Sequence, residues 1–583
     1  MTGAEPAAAT APRGFSRAAR RAAAAIALAA TLFSVASLRR YGVTIDEPAL
    51  LYAGDRTLHA LRHPGQPGAL DFEAADPPGF RSHFPRLPDP LDPQHYPVLP
   101  ALVAAATDAT LGRAFALSPV DGHHAGLALL SIALLFLYTL YACRLLGDAA
   151  GVAAAIALAC FPTAVGHAFN DPKDWPCAGF YALTVLAAGV GLLEKRPRHL
   201  WLAGVFFGLA LSCKQNGVFA AVTVLLATPF IYRLVYQDGS RGRSIDRRLA
   251  TALLLSPGLG CAIFALAWPW LWWAGPSVAL ARFGDFLGFA RQFSSDAHAG
   301  FSPHPFRCLV FMTPPLVLVA AAAGCWPGRR PTRERLAIGT LLTIWLLLPL
   351  VRVALPHANF YDANRHFIEY IPALCALAGL GFVEAWRRAS PLLTERLERL
   401  GISRARALGG AVLAVAAVAL VWPVAQYHPF ETAYFNLLTG GLGGAQRAGL
   451  FRASSPTAFV NGTEGDYWLS SLREGARAAQ ALTPPGRPLG ICAWLPALVA
   501  IDNDGPTNEV TAEVTAEVER AEVPVVYAAP RGQRCSWKRL RELERWRPVL
   551  ERITRGGGLI YEILGPRAAL PHAPVSPPTV YDP

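Results

Sequence analysis

The feature that most constrains this chain is a series of apolar runs, each close to the length that crosses a membrane. A helix needs roughly 20 mainly apolar residues to cross a hydrocarbon core about 30 Å thick. Hydrophobic residues make up 53% of the 583-residue chain and charged residues 16%, whereas soluble domains carry about 25% charged residues. The sequence therefore predicts a polytopic α-helical membrane protein and argues against a soluble enzyme. The runs, which amount to about eleven spans, lie near 22–38, 125–146, 149–167, 176–193, 199–213, 216–236, 250–274, 307–325, 336–355, 366–385 and 406–425.

The basic residues predict the orientation of these spans. The net charge is +12, but Arg and Lys lie in short clusters between apolar runs rather than in the single patch that would indicate nucleic acid binding. If the N-terminus is cytoplasmic, every second short loop carries most of the positive charge, as the positive-inside rule expects. The excess of Arg over Lys and the many Ala residues are typical of a GC-rich bacterial genome. We therefore expect a multi-pass protein of a bacterial inner membrane, with no nucleic acid partner.

This orientation divides the chain into three parts. Residues 1–21 form a cytoplasmic tail, residues 22–427 a transmembrane domain, and residues 428–583 a periplasmic or extracellular domain. A large first outer loop at 39–124 belongs to the transmembrane domain and contains a short, semi-apolar helix near 98–112, which we expect to lie in the membrane interface.

The C-terminal part alternates between helical and strand patterns, which is typical of a small α/β domain. We expect helices near 472–482 and 536–546, and strands near 488–493, 522–528 and 557–563. Cys492 and Cys535 fall in this part and could form a disulfide if it lies outside the cell.

Two groups of acidic residues follow apolar runs on the predicted outer side. Asp46 and Glu47 come soon after the first run, where a carboxylate could act as a general base toward a hydroxyl. Taken alone, the pair favours a solvated cap of the next helix. Asp171, Lys173 and Asp174 occupy a very short loop, which is equally compatible with a membrane-face site and with a simple turn.

Two groups of cations complete the polar residues of the outer side. Lys214 and Gln215 interrupt an apolar stretch, where Lys could bind a phosphate or snorkel to the interface. Arg365, His366 and Glu369 begin a later run, and the four-residue spacing also allows an Arg365–Glu369 pair within one helix. We interpret the aromatic residues at 427–436 and 465–468 as an interfacial belt.

Each of these signals is weak alone, but one topology places all the charged groups on the same side of the membrane. Acidic pairs together with a Lys and an Arg–His pair at one outer cavity indicate a site for an anionic substrate. No metal site is predicted, because no His/Cys ligand spacing is present.

This arrangement resembles the GT-C membrane glycosyltransferases, and within them the family 39-like branch of protein O-mannosyltransferases and lipid A aminoarabinose transferases. The resemblance covers residues 22–427 in layout and rests on Asp46-Glu47, on the loop at 171–174 and on Arg365-His366. It implies a GT-C-like fold, a polyprenyl-phosphate sugar donor, and an acceptor that is a lipid, a glycan or a protein. It also implies transfer of a hexosyl or pentosyl group with inversion. The lipid-linked sugar is the co-substrate and no cofactor is expected, while members of the family differ in whether they require a metal.

The resemblance also implies roles for individual residues. Asp46 would be the general base that deprotonates the acceptor hydroxyl, and Glu47 would position the site. Lys214 and Arg365 would neutralise the departing lipid phosphate. The remaining substrate-binding candidates are Asp171, Lys173, Asp174, Gln215, His366 and Glu369.

Two other classes of function remain open at the level of sequence. Broken apolar segments such as 199–236 also occur at the substrate sites of secondary transporters. A non-catalytic envelope assembly protein would carry the outer domain as a partner-binding unit and would tolerate changes at Asp46 and Glu47.

Overall fold

The protein is described here from a computed structural model. It describes residues 14–66, 68–86, 96–236, 246–292, 300–326, 328, 331–358, 362–399, 405–449, 464–483, 489–492, 525–528 and 537–566.

Twenty α-helices form most of the described chain, and several begin where the sequence supplies a cap or a proline. Ser16 and Ser118 cap the first and fourth helices through their side-chain oxygens, which satisfies backbone N–H groups that a helix start leaves unpaired. In chain order the helices α1–α20 are Arg17–Ser37, Glu47–Arg62, Leu99–Thr107, Pro119–Leu146, Asp148–Ala159, Pro162–Asn170, Asp174–Leu193, Pro197–Leu211, Val218–Val235, Arg247–Ala267, Pro269–Trp272, Pro276–Gln292, His304–Phe311, Pro315–Cys325, Arg333–Ala354, Tyr370–Arg399, Ala405–Tyr427, Gly441–Ala448, Leu472–Ala481 and Trp537–Glu544.

Every predicted apolar run coincides with a helix or a pair of helices. Within the described residues, seven helices are long and apolar enough to cross a membrane, and the number rises to nine if each of two bent pairs counts as one span. The bent pairs are α5 with α6, at 63°, and α13 with α14, at 110°. The chain is therefore a mostly helical, multi-pass membrane protein, and the count of eleven spans stays a prediction.

Small residues let two pairs of these helices pack closely. On α8, Gly204 and Gly208 face the backbone of α10 at Ser256 and Gly260, and a Cβ at either glycine would collide with a carbonyl oxygen. Gly381 of α16 meets α14 in the same way. Glycines four residues apart that permit such contact are typical of helix pairs in membranes.

The first outer loop is folded around a buried arginine. Arg56 of α2 is fully buried and donates from Nε to the Ala69 carbonyl oxygen at 2.9 Å and from Nη2 to the Asp71 carbonyl oxygen at 2.6 Å. Because several backbone carbonyls converge on one guanidinium, the loop holds α2 in a fixed position. The helix predicted near 98–112 is present as α3, followed by a single π-helical turn, and its position in the membrane interface stays a prediction.

The C-terminal region forms a small α/β unit, as expected. Its four strands β1–β4 are Gly490–Cys492, Val525–Ala528, Val549–Arg555 and Gly558–Leu564, in the sheet order β1-β2-β4-β3. The first pair is parallel and the other two are antiparallel. Sequence reasoning missed β3 because this edge strand is only partly buried and three of its seven residues, Glu551, Arg552 and Arg555, are charged. Cys492 is disulfide-bonded, and its predicted partner Cys535 lies outside the described residues.

Buried polar contacts connect the C-terminal region to the helical part. Arg473 of α19 is buried and donates to the Tyr41 carbonyl oxygen at 2.7 Å, while its Nη1 lies 2.9 Å from Asp121 Oδ1 at the start of α4. The chain just before α19 also meets the entry to α2, since Ile45 N donates to the Trp468 carbonyl oxygen at 3.3 Å. The two sides of the predicted boundary at residue 427 therefore share buried contacts.

Candidate active site

Five charged residues from four distant segments of the chain meet in one buried cluster, which we call the charge cluster. Each lies next to the start of a helix, and none is more than 7% exposed. They are Asp46 at the start of α2, Lys173 and Asp174 at the start of α7, Lys214 before α9, and Arg365 in a short turn before α16. The structure thus brings together five of the residues that the sequence analysis singled out.

Asp46 lies between two cations. Its Oδ2 is 2.8 Å from Lys173 Nζ, and it also accepts a hydrogen bond from Arg365 Nη1. Burial alone would raise the pKa of Asp46, but Arg365 and Lys173 outweigh burial and hold the pKa well below its ordinary value. Asp46 itself holds the pKa of Lys173 above its ordinary value, against the opposing effect of burial. Both partners are therefore charged at neutral pH.

Asp174 forms the second half of the cluster. It accepts a hydrogen bond from Lys214, and its Oδ2 lies 3.4 Å from Arg365 Nη1. Arg365 also reaches Asp362, with Nη2 2.9 Å from Oδ2. Asp362 and Ala363 both adopt left-handed backbone conformations, with φ of 55° and 57°, which turn the chain so that the Asp362 carboxylate faces Arg365. Backbone strain of this kind is common at functional sites.

The acidic loop at 171–174 divides into a structural residue and two cluster residues. Asp171 caps α7, because its carboxylate accepts from Asp174 N at 2.8 Å and from Trp175 N at 2.9 Å. It also accepts a hydrogen bond from His167 Nδ1 at 2.7 Å. Asp171 thus holds the backbone that presents Lys173 and Asp174, so this loop forms a turn and also carries two residues of the charge cluster.

Glu47 faces away from the charge cluster. Its carboxylate accepts from Thr44 N at 2.6 Å and contacts His124 Nε2 at 2.9 Å, and both side chains are fully buried. Burial raises the pKa of Glu47, although His124 acts in the opposite direction. The expectation of a solvated capping pair is wrong, because Asp46 and Glu47 are both buried and Asp46 makes no side-chain capping bond. Glu47 fixes the turn that carries Asp46.

The turn that carries Arg365 is held from outside by other residues. Arg352 Nη2 donates to the His366 carbonyl oxygen at 2.8 Å, and Asn216 donates to the same oxygen at 3.2 Å. Glu369 lies 3.7 Å from Arg352 rather than pairing with Arg365. The expected Arg365–Glu369 pair is wrong because residues 365–367 form a tight 3₁₀ turn, which ends before α16 begins. Gln215 is half-buried in the turn before α9.

Three aromatic residues beside the cluster were missed by sequence reasoning. Lys173 Nζ lies 4.5 Å from the centre of the Tyr96 ring, and Arg365 Cζ lies 5.1 Å from the Trp468 ring. Tyr467 OH is 3.1 Å from His167 Nε2. The interpretation of residues 465–468 as an interfacial belt is wrong, because Tyr467 and Trp468 are each 1% exposed. Tyr467 and Trp468 lie close to a glycine in a segment without a periodic apolar pattern, so no sequence signal indicated their burial.

Within the described residues, no group of three or more His, Cys, Asp or Glu side chains is arranged to hold a metal ion. The cluster instead brings together one carboxylate that could accept a proton and several cations that could hold an anion.

One family model matches the centre of the chain. Residues 124–273 match the model described as dolichyl-phosphate-mannose-protein mannosyltransferase. The predicted family resemblance is confirmed over this region. The matched residues include Lys173, Asp174 and Lys214 of the charge cluster. The chain thus resembles the GT-C membrane glycosyltransferases. No curated protein sequence matches the chain.

Solved structures with low identity to the chain were also compared. ArnT from Cupriavidus metallidurans, bound to undecaprenyl phosphate, is 16% identical with a TM-score of 0.46, and the alignment covers 93% of this chain and 97% of that one. AglB, an oligosaccharyltransferase from Archaeoglobus fulgidus in complex with an inhibitory peptide and a dolichol-phosphate, is 13% identical with a TM-score of 0.40, covering 88% and 70%.

Proposed function

We propose that the protein is a membrane glycosyltransferase that moves a sugar from a polyprenyl-phosphate carrier to an acceptor hydroxyl. The observation that carries this proposal is the placement of Asp46 between Arg365 and Lys173, with Lys214 and Asp174 beside them. A carboxylate next to several buried cations combines a proton acceptor with an anion-binding site. The family whose model matches is named for a dolichyl-phosphate sugar donor, which has both the anion and the leaving group that this site suits.

In this reaction the acceptor hydroxyl transfers its proton to Asp46 as its oxygen bonds to the anomeric carbon. The bond from that carbon to the phosphate oxygen breaks, and the phosphate leaves with the electron pair. The transition state resembles an oxocarbenium ion, and the negative charge that grows on the phosphate is stabilised by Arg365 and the two lysines. Attack from the face opposite the phosphate inverts the anomeric centre.

The charges of the site stay balanced through the reaction. Three cations face three carboxylates, Asp46, Asp174 and Asp362. When Asp46 gains a proton it becomes neutral, while the phosphate goes from one negative charge to two. The leaving phosphate can therefore take over the cations that Asp46 releases. This exchange also raises the basicity of Asp46, because the substrate draws away the charges that keep its pKa low.

The remaining elements of the proposal concern partners and location. The acceptor is a lipid, a glycan or a protein, and the co-substrate is the lipid-linked sugar without a further cofactor. The positive-inside pattern supports transfer at the outer face of a bacterial inner membrane. Lys173, Lys214 and Arg365 bind the donor phosphate, and Asp174 helps to orient the sugar or the acceptor. Glu47 and Asp171 hold the backbone of the site. Gln215, His366 and Glu369 border it.

The test is a transfer assay with purified protein in detergent–lipid mixtures and a panel of polyprenyl-phosphate sugars. Wild type is compared with Asp46→Asn and with Asp285→Asn, a control at an exposed residue of α12. We expect lipid phosphate to be released by wild type and by the control, and not by Asp46→Asn. Equal release by all three proteins would remove Asp46 from the proposed role. Uptake of the donor into vesicles that contain the protein, without release of lipid phosphate, would favour the alternative of a secondary transporter.

A further inference from the structure

A tryptophan from the C-terminal part of the chain lies beside the charge cluster. Trp468 is buried, and its ring lies 5.1 Å from Arg365 Cζ and 4.6 Å from the centre of the His167 ring. Its carbonyl oxygen accepts the N–H of Ile45, the residue before Asp46, at 3.3 Å. Trp468 thus contacts both Arg365, a cation that pairs with Asp46, and the backbone next to Asp46.

The neighbouring side chains hold Trp468 in this position. Tyr467 OH lies 3.1 Å from His167 Nε2, and His167 Nδ1 lies 2.7 Å from Asp171, the cap of α7. The Asp466 carboxylate accepts hydrogen bonds from the Ser470 hydroxyl at 3.1 Å and from Ser471 N. The turn at 466–471 is therefore fixed by buried hydrogen bonds at both ends, and the indole is not free to move away.

The indole N–H is the one polar group of the Trp468 side chain, and the described residues offer it no hydrogen-bond acceptor. Among the described residues, no atom accepts a hydrogen bond from the buried Trp468 Nε1. An indole N–H can only donate, and buried polar groups in proteins nearly always have a partner. The Trp468 N–H is thus a buried, rigidly held donor beside Arg365, which faces three carboxylates. Such a donor suits an oxygen acceptor that a bound substrate supplies.

The geometry around the Arg365 guanidinium limits which oxygen of the substrate can accept the Trp468 N–H. Arg365 uses the edge of its guanidinium for Asp46, Asp174 and Asp362, while the Trp468 ring lies within cation–π distance of it. An anionic group drawn to Arg365 therefore comes close to the indole. The phosphate, or the sugar bonded directly to it, is the part of a lipid-linked donor that brings oxygen atoms to this position.

We propose that Trp468 is a donor-binding residue, whose Nε1–H hydrogen-bonds an oxygen of the sugar phosphate while its ring supports Arg365. This inference rests on the proposed function, because the ligand is the donor of that reaction. It gives the C-terminal region a direct part in substrate binding, although the sequence resemblance covers only residues 22–427.

The test measures binding, so that it does not depend on transfer. Purified wild type, Trp468→Phe and the control Trp268→Phe are titrated with undecaprenyl phosphate and with undecaprenyl phosphate-glucose. Trp268 is as deeply buried as Trp468 and lies against Phe264 and Phe286, outside the charge cluster. Phe keeps an aromatic ring for Arg365 and removes only the N–H. We expect about tenfold weaker binding by Trp468→Phe, as for loss of one hydrogen bond, and wild-type binding by the control.

The outcomes separate this inference from the proposed function. Weaker binding of both ligands by Trp468→Phe assigns the N–H to a phosphate oxygen, and weaker binding of the glucose-bearing ligand alone assigns it to a sugar oxygen. Either result supports the inference, even if wild type transfers no sugar. Equal binding by Trp468→Phe and wild type overturns it, even if wild type is an active transferase. Failure of wild type to bind either ligand overturns the inference and the proposed function together.

Discussion

At the scale of single residues, the proposed mechanism depends on a carboxylate, Asp46, that is held in its weakly basic form until the substrate binds. Arg365 and Lys173 keep the pKa of Asp46 well below its ordinary value, so free Asp46 is a poor proton acceptor. A bound phosphate competes with Asp46 for the same two cations. In the proposed mechanism, donor binding therefore also activates the base. A substitution at Asp46 can then change donor binding and sugar transfer differently.

Replacing Asp46 by Asn should affect transfer and binding in opposite directions. Transfer should fall by about 10²–10⁴-fold, the usual contribution of a general base. Undecaprenyl phosphate should bind at least as tightly as to wild type, because the competing carboxylate is gone. Single-turnover transfer and direct titration measure the two effects, with Asp285→Asn as the control. Parallel loss of both would indicate that Asp46 maintains the structure rather than the chemistry.

Replacing Arg365 by Lys should be severe although it preserves the charge. Arg365 contacts Asp46, Asp174 and Asp362 and lies beside the Trp468 ring, and one ammonium group cannot reproduce that set of contacts. We expect kcat to fall about 10²–10³-fold, as for loss of a group that stabilises developing charge. Arg388→Lys, at an exposed position of α16, should leave kcat unchanged. A similar kcat for Arg365→Lys would contradict the proposed role.

At the scale of helices and strands, the sequence predicted most of the elements because their patterns are strong. Apolar runs near the length of a membrane span predicted every described helix of 18 or more residues, but not the 17-residue helix α12. The edge strand β3 was missed because it is only partly buried and three of its seven residues are charged. The 110° bend between α13 and α14 falls at Thr313-Pro314-Pro315, where proline removes backbone donors. The apolar run of residues 307–325 shows that a helix is possible, but not that it breaks into two.

The close packing of α8 and α10 gives a prediction at this scale. Gly204→Ala places a Cβ against the Ser256 carbonyl oxygen, whereas Gly258→Ala on α10 places a Cβ where no atom lies within 4 Å. Overpacking costs about 1–3 kcal/mol, so Gly204→Ala should lower the apparent melting temperature in detergent by several degrees. Gly258→Ala should be neutral or slightly stabilising, because Ala favours helix. Equal melting temperatures would show that this helix contact adjusts freely.

At the scale of the whole molecule, sequence reasoning succeeded where topology alone was needed and failed where packing was needed. Asp46 and Arg365 are 319 positions apart, yet one predicted orientation placed both on the outer side. That orientation could not show which cation meets which carboxylate. It also could not place Trp468, because residues 464–471 carry no periodic pattern and their position depends on contacts with α6 and the entry to α2.

The predicted orientation itself remains to be measured, and the structure offers two exposed sites for doing so. Asp285 lies on α12, in a segment expected outside, and Arg388 lies near the cytoplasmic end expected for α16. A membrane-impermeant maleimide should label Asp285→Cys in intact cells and Arg388→Cys only after permeabilisation, with wild type giving the background from native cysteines. The positive-inside pattern predicts this result. The reverse labelling would place the charge cluster at the cytoplasmic face, and the acceptor would then have to be a cytoplasmic molecule rather than a component of the envelope.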